Sequence, residues 1–297
     1  MNKVKTAIIS DSASNWPIYI GLERGIFQKL GLDVELTITN SSKQQLENME
    51  KGVYDIGFAA ADHIVKRVVN NNSDLFICMG IALPFYNLIT SKEVKNYTEL
   101  KGKKLGVDGK SSGYALLLEA LLEYNNISLS DYEFVEVGGS GKRLKALITG
   151  EIDGTFLDAP SDIEAELIGF NRLGSNLDCI PNYQGRIAAV KKSWAKQNED
   201  VLVRFISAYI DAVDWFYDSQ NRQETVNILM NKLGLTEEIA ENAYERYTKN
   251  KIFNEKGMIN ELGLHEVVKV MQKLGQVKGE VDLSLIHDLS FYSKARG

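Results

Sequence analysis

Short runs rich in β-branched and aromatic residues alternate with stretches of helical periodicity, and this alternation limits the possible folds more than any other feature. Strand-type runs read at 4–9, 32–38, 53–58, 75–81, 103–107, 132–137, 152–157 and 186–191. Helical spacing fills 17–29, 42–51, 61–70, 112–125 and 141–149. Strand followed by helix followed by strand is the pattern of βαβ units, whose strands pair in parallel through crossover helices. The expectation is an α/β chain on largely parallel sheet. Beyond about residue 193 the pattern turns helical: Leu202, Phe205, Ile206, Tyr209, Val213 and Phe216 share one face of 199–217. A later helix carries Leu264, Val267, Val268, Met271 and Leu274, with Gly275 as its C-cap. These helices are expected to cover the sheet.

An internal echo divides the chain. Gly52-Val53-Tyr54-Asp55-Ile56-Gly57-Phe58 resembles Gly150-Glu151-Ile152-Asp153-Gly154-Thr155-Phe156. Each copy follows an amphipathic helix, feeds a short strand and ends in a small-residue loop before another helix. The repeated context predicts two similar lobes. With only 4 prolines and no Ser- or Pro-rich linker, the lobes are expected to be joined by short crossing segments. Candidates are Leu83-Pro84-Phe85-Tyr86 and Asn182-Tyr183-Gln184-Gly185-Arg186. Lobe one is then discontinuous, 1–84 plus 186–297, and lobe two is 85–185.

Charge and cysteines exclude several classes. The 34 Lys and Arg against 40 Asp and Glu give a net charge of −6, which argues against a nucleic-acid partner. No unbroken apolar run approaches the roughly 18 residues of a membrane span; the most apolar stretch, 76–89, is interrupted by Gly80, Pro84 and Asn87. Cys78 and Cys179 each sit beside apolar residues and read as small core residues rather than a disulfide or metal pair. The first strand begins within a few residues of Met1, with no charged and apolar leader before it. An exported protein shown without its signal and a cytoplasmic protein both fit.

No strong catalytic signature is present. Gly109-Lys110-Ser111 fails as a phosphate-binding loop because Lys104 stands where its first glycine belongs. Gly138-Gly139-Ser140-Gly141-Lys142-Arg143 fails because Glu136 and Arg143 stand at required positions. Both still read as tight loops opening helices, and 108–114 reads either as a grip for a carboxylate, sulfonate or phosphate or as an ordinary capped helix start with nothing bound. Ser111 and Ser112 suit an N-cap, and Gly113 allows close approach of a ligand. Ser10 to Pro17 is a polar-aromatic loop after the first strand. Trp16 there offers a ring for stacking on a flat ligand, against the plainer reading of packing. Asp62, His63 and Asp158 occupy the equivalent repeat loops. They read either as an acid/base or amine-binding set or as capping aspartates with a half-exposed imidazole. The other histidines, His265 and His287, lie in the helical tail, and no donor set has metal spacing, so neither metal nor cofactor is expected.

Several of these segments resemble, in order, the motifs of type 2 periplasmic solute-binding proteins of the alkanesulfonate, nitrate, taurine and thiamine-precursor group. They are Pro17 to Phe27 with Gly31 to Leu36, then Gly52 to Gly57, Leu100 to Val107 and Gly150 to Gly154, and the likeness spans about 4–190. The resemblance implies two α/β lobes of mixed sheets with flanking helices, a helical C-terminal tail, and a ligand closed between the lobes by rotation about the crossings. It implies a small organic ligand with an anionic group, handed to the permease of an ABC importer, and a periplasmic or otherwise extracytoplasmic location. Carried over by position, ligand contacts would come from Ser12, Asn15, Trp16, Ala60, Asp62, Ser111, Ser112, Gly113 and Asp158. The same fold also hosts cytoplasmic enzymes of thiamine-pyrimidine and menaquinone synthesis. That alternative would use His63 and Asp62 for proton transfer, although the cysteine-rich run of the pyrimidine synthases is missing.

Overall fold

The computed structural model describes residues 1–39, 41–110 and 112–296. The chain divides into unit 1, Met1–Leu83 with Tyr183–Gly297, and unit 2, Pro84–Asn182. Unit 1 opens with β1 (Asn2–Ile8), α1 (Trp16–Glu23), α2 (Ile26–Lys29), β2 (Leu32–Ile38), α3 (Ser42–Glu50), β3 (Ile56–Ala60), α4 (Ala61–Asn71) and β4 (Leu75–Ala82). Unit 2 holds β5 (Asn87–Thr90), β6 (Lys103–Val107), α5 (Gly113–Tyr124), β7 (Tyr132–Glu136), α6 (Ser140–Ile148), β8 (Gly154–Leu157), α7 (Ser161–Leu167) and β9 (Asn171–Ser175). The chain then returns to unit 1 as β10 (Arg186–Lys191), α8 (Lys192–Gln197), α9 (Glu199–Tyr217), α10 (Arg222–Leu233), α11 (Glu237–Lys249), α12 (Glu261–Lys273) and α13 (Ser290–Arg296).

Each unit is built on a mixed five-stranded sheet, ordered β2-β1-β3-β10-β4 in unit 1 and β7-β6-β8-β5-β9 in unit 2. The two orders are the same pattern. Three strands run parallel: β1 lies between β2 and β3, and β6 between β7 and β8. The fourth position is antiparallel to both neighbours, and it is filled by the strand on which the chain has just entered that unit. Four strands of each sheet therefore run one way, as βαβ alternation leads one to expect, and the opposed fourth position makes each sheet mixed. Alternation reveals strands, but a strand reached without a crossover helix carries no mark of its direction. The expected helix over 17–29 is also two helices, because Gly25 takes φ +63 and ends α1.

The echoed heptads form the same joint twice. Gly52 and Gly150 adopt φ +75 and +74, a conformation that costs a side-chain-bearing residue far more than glycine. Asp55 N–H donates to the Lys5 carbonyl at 2.8 Å while its carboxylate accepts from Lys5 N–H at 2.8 Å. Asp153 does the same with Lys104, again at 2.8 and 2.8 Å. The aspartate thus ties the incoming strand to mid-β1 at Lys5 and to the start of β6 at Lys104.

Burial follows the patterns that predict it. The run Leu75–Ala82 is buried throughout, as a strand covered on both faces requires. The apolar stripe of α9 is buried from Val201 to Phe216 and packs on α1 and α13. Phe205 stacks on Phe27 with ring centroids 5.1 Å apart, and each such ring contributes roughly 2–3 kcal/mol by leaving water. Cys78 is fully buried, and burial pushes its thiol up to about 12. Cys179 is only half-buried, so its reading as a core residue is corrected; desolvation, with Asp178 beside it, holds its thiol at about 11.

Candidate functional site

In unit 1 the carboxyl ends of β1 and β3 and the start of antiparallel β10 meet at one edge, where Arg186 pairs with Ala60 in the ladder. The loop from Ser10 to Asn15 lies at the end of β1. Asn15 is fully buried and donates to the Ser10 carbonyl at 2.9 Å. Its carbonyl oxygen accepts from an Arg186 Nη at 2.9 Å. Ser12 and Ser14 share a hydroxyl hydrogen bond of 2.6 Å. The Tyr19 hydroxyl donates to Asp11 at 2.7 Å, and burial, reinforced by that carboxylate, holds the phenol above its ordinary range. Arg186 Nε and the Tyr209 hydroxyl are both buried without a hydrogen-bond partner among the described residues. Burial raises the Tyr209 phenol, and the Arg186 charge opposes the shift. Arg186 is thus a cation at the strand end of unit 1. The sequence reading passed it over as part of a crossing.

Trp16 is a correction. Its ring is completely buried, its Nε1 donates to the Thr225 carbonyl at 2.8 Å, and its edges meet Phe216, Tyr244 and Tyr247 at 5.1, 6.1 and 6.1 Å. No face remains for stacking a ligand. The aromatic partners come from α9 and α11, two hundred residues downstream, where local sequence gives no hint of them.

In unit 2 the equivalent edge is formed by the ends of β6 and β8 and the start of β5. Ser112 is the N-cap of α5, accepting from Ala115 N–H at 3.0 Å and donating to Asp108 at 2.5 Å. Asp108 also accepts from Gly109 N–H at 3.0 Å, and Glu136 accepts from Lys110 N–H at 2.8 Å. Three donors of this loop, the Ser112 hydroxyl and the N–H groups of Gly109 and Lys110, are therefore engaged by the protein's own carboxylates. Gly113 and Ser112 are half-buried, whereas Ser111 lies outside the described residues.

Asp158 is half-buried after β8, and its carboxylate accepts from the Ser140 hydroxyl at 2.8 Å. It serves the start of α6, not the helix that follows it in sequence. Arg143, only 3% exposed, donates to the Gly138 carbonyl and, at 3.1 Å, to Ser140 Oγ. Its guanidinium lies 4.2 Å from the Tyr114 ring centroid. Tyr114 donates to the Phe156 carbonyl and packs edge-on against Tyr86 and Phe156 at 5.0 and 5.6 Å. Burial raises its phenol, with Arg143 opposing. The failed phosphate loop thus hides a buried cation. The sequence missed the partnership because Tyr114 and Arg143 belong to different helices.

Ala60 and Asp62 lie at the end of β3 and in the first turn of α4, at the unit 1 edge. His63 does not join them in a proton-transfer set. It lines a groove of about 470 Å³ between α3 and α4, with Lys43, Glu47, Lys66 and Arg67. Its Nδ1 is buried without a hydrogen-bond partner among the described residues. Among the described residues no group of histidine, cysteine and acidic side chains is placed to hold a metal, and no helix is long and apolar enough to cross a membrane.

Comparison with known proteins places these edges in context. A family model described as NMT1/THI5 like matches residues 13–223. YtlA of Bacillus subtilis (strain 168), provisionally named a binding protein, is 24% identical over 296 residues, covering 93% of this chain and 85% of its own. The ligand-binding component of an ABC-type import system from Staphylococcus aureus superposes with a TM-score of 0.81 at 14% identity, covering 99% of both chains. The periplasmic aliphatic sulphonate binding protein SsuA from Escherichia coli gives 0.76 at 16% identity, covering 96% of this chain and 91% of its own. The fold is that of the periplasmic binding proteins.

Proposed function

We propose, from the premise that this chain belongs to the NMT1/THI5-like family, that it is a solute-binding protein holding a small organic molecule with the loops at its strand ends. The observation that carries the reading is the doubled edge. Two sheets of one topology each present, at the carboxyl ends of their parallel strands, a loop fixed by its own hydrogen bonds. Ligands of open α/β sheets sit at such ends, and loops held rigid beforehand lose less entropy on binding. Contacts are proposed from Ser12, Asn15, Ala60 and Asp62 in unit 1 and from Ser112, Gly113 and Asp158 in unit 2. An anionic group on the ligand would be met by Arg186, which Asn15 holds in place at 2.9 Å.

The reading extends to delivery of the ligand to an ABC importer permease outside the cytoplasm, as the names of the Staphylococcus aureus and Escherichia coli neighbours suggest. Thermal unfolding of the full chain against sulfonates, carboxylates, amines and heteroaromatics tests it. A ligand at a hundred times its Kd stabilises by about 2.7 kcal/mol, a readily measured rise in Tm. A stabilising compound recovered unchanged after long incubation supports the reading. Turnover of that compound would replace it with the enzyme alternative.

A further inference from the structure

The two segments that carry the chain out of unit 1 and back into it are each held by a fully buried amide side chain. In unit 1 that residue is Gln184, on the returning segment. Its Oε1 accepts from Asn260 N–H at 2.8 Å and from the Asn254 amide at 2.9 Å, and its Nε2 donates to the Arg186 carbonyl at 2.9 Å. Asn254 also reaches the outgoing segment, where its N–H donates to the Ile81 carbonyl at 3.0 Å. Beside it Leu83 N–H donates to the Ile252 carbonyl at 2.9 Å. The stretch 252–260 therefore holds both segments to unit 1, up to Leu83 on one and from Gln184 on the other.

In unit 2 the residue is Asn176, directly after β9 and fully buried. Its Nδ2 donates to the Pro84 carbonyl at 3.0 Å, and its Oδ1 accepts from Tyr86 N–H at 2.7 Å. Its backbone carbonyl accepts from Ile180 N–H at 2.9 Å. Asn176 thus holds the outgoing segment from Pro84 onward and the returning one as far as Ile180. Two short stretches are left between these anchors. One is the Leu83–Pro84 junction. The other is Pro181 and Asn182, both exposed and without a hydrogen bond among the described residues. The division into units falls at the same places, after Leu83 and after Asn182.

We infer that Gln184 with Asn254 on one side, and Asn176 on the other, are the fixed sides of a hinge, and that movement of the units turns on Leu83–Pro84 and Pro181–Asn182. A buried amide bonded at both ends is costly to pull from its partners, so each segment moves with its own unit up to its anchor. A hinge is a few positions that absorb the change in φ and ψ. The prolines narrow these pivots further, since each fixes its own φ and Pro84 confines Leu83 to extended conformations. Gly185, the flexible residue type of the returning segment, is no pivot: it is buried and its carbonyl accepts from Ala61 N–H at 3.0 Å. The anchors act in this way whatever the strand-end loops bind.

Pulsed electron paramagnetic resonance on the full chain, with no ligand added, tests the hinge. Spin labels go at Lys43→Cys on α3 and Lys145→Cys on α6, both exposed, in a Cys179→Ser background; Cys78 is fully buried. Asn176→Leu with Gln184→Met lengthens each free stretch by one or two residues and should broaden the distance distribution about 1.3-fold, following the square root of its length. Thr236→Ala, which removes the cap of α11 outside both anchors, should leave the width unchanged. A double variant that lowers Tm without broadening overturns the hinge, as does a Thr236→Ala chain that broadens equally; either would make the anchors ordinary packing. If the double variant does not fold, Pro84→Gly with Pro181→Gly carries the test. It frees the pivots and keeps the Pro84 carbonyl for Asn176, so the distribution should broaden; an unchanged width overturns the inference.

Discussion

Units 1 and 2 share a strand order and a repeated joint, yet they tie the loops at their strand ends with different groups. In unit 1 the first loop is tied by Asn15 to Ser10, by Ser12 to Ser14 and by Tyr19 to Asp11, and Arg186 and Asp62 both stand at the edge. In unit 2 the corresponding loop is tied by Asp108 and Glu136, Asp158 accepts from Ser140, and Lys110 and Lys142 are exposed at the same helix starts. The repeated clamps accompany the shared strand order, whereas the side chains at the strand ends differ between the units. The two can change independently. A further difference is cover. The helices after β10 enclose the start of α1 in unit 1, with Trp16 at its centre, whereas Tyr114 at the start of α5 stays half-buried.

That difference predicts the largest effect. Trp16→Ala removes a fully buried ring and strands the Thr225 carbonyl, and it should cost about 3–5 kcal/mol in urea unfolding. A loss under about 1 kcal/mol, with ligand affinity collapsing instead, would return Trp16 to the ligand site and erase the contrast between the helix starts.

The loops themselves give the next effect. Asn15→Ala leaves Arg186 without its acceptor inside a buried loop and should cost about 1–3 kcal/mol. Ser112→Ala removes an ordinary cap and should cost about 1 kcal/mol. Amide hydrogen exchange reads the two separately, with faster exchange confined to α1 and its neighbours in the first variant and to α5 in the second. Equal losses would mean that the two loops are held with equal strength after all.

What the sequence made legible follows from range. The heptads 52–58 and 150–156 could be matched because helix end, glycine, aspartate and strand are contiguous. β4 could be read because both its faces are buried. β9 could not, since Asn171 and Arg172 break the apolar run, and β5 is four residues inside an irregular stretch. The direction of β10 was hidden because a period of two marks a strand whichever way it runs. α10 and α11 went unread because much of their surface is polar and they pack on other helices rather than on a sheet. At the candidate site Asp62 and Asp158 stood out by their place in the repeat. Arg143 and Arg186 did not, because their meaning lies in Tyr114 and Asn15, residues that only the folded chain brings to them. Trp16 misled for the same reason: its acceptor, Thr225, is 209 positions away.

The smallest predicted effect tests the likeness of the units rather than their difference. Asp55 and Asp153 make the same pair of backbone bonds to Lys5 and Lys104, all at 2.8 Å. Their side chains are only half-buried, so solvent weakens each bond, and Asp→Ala should cost roughly 1 kcal/mol at either position. The two losses should agree within about half a kcal/mol and should add in the double variant, because each clamp serves its own sheet. Hydrogen exchange should quicken at β1 and β3 in one variant and at β6 and β8 in the other. If one substitution is silent, the echo is a sequence likeness without a shared mechanical role. The common strand order would then rest on the buried strands alone, and the glycines at 52 and 150 would become the next positions to replace, since their left-handed turns are all that would remain of the joint.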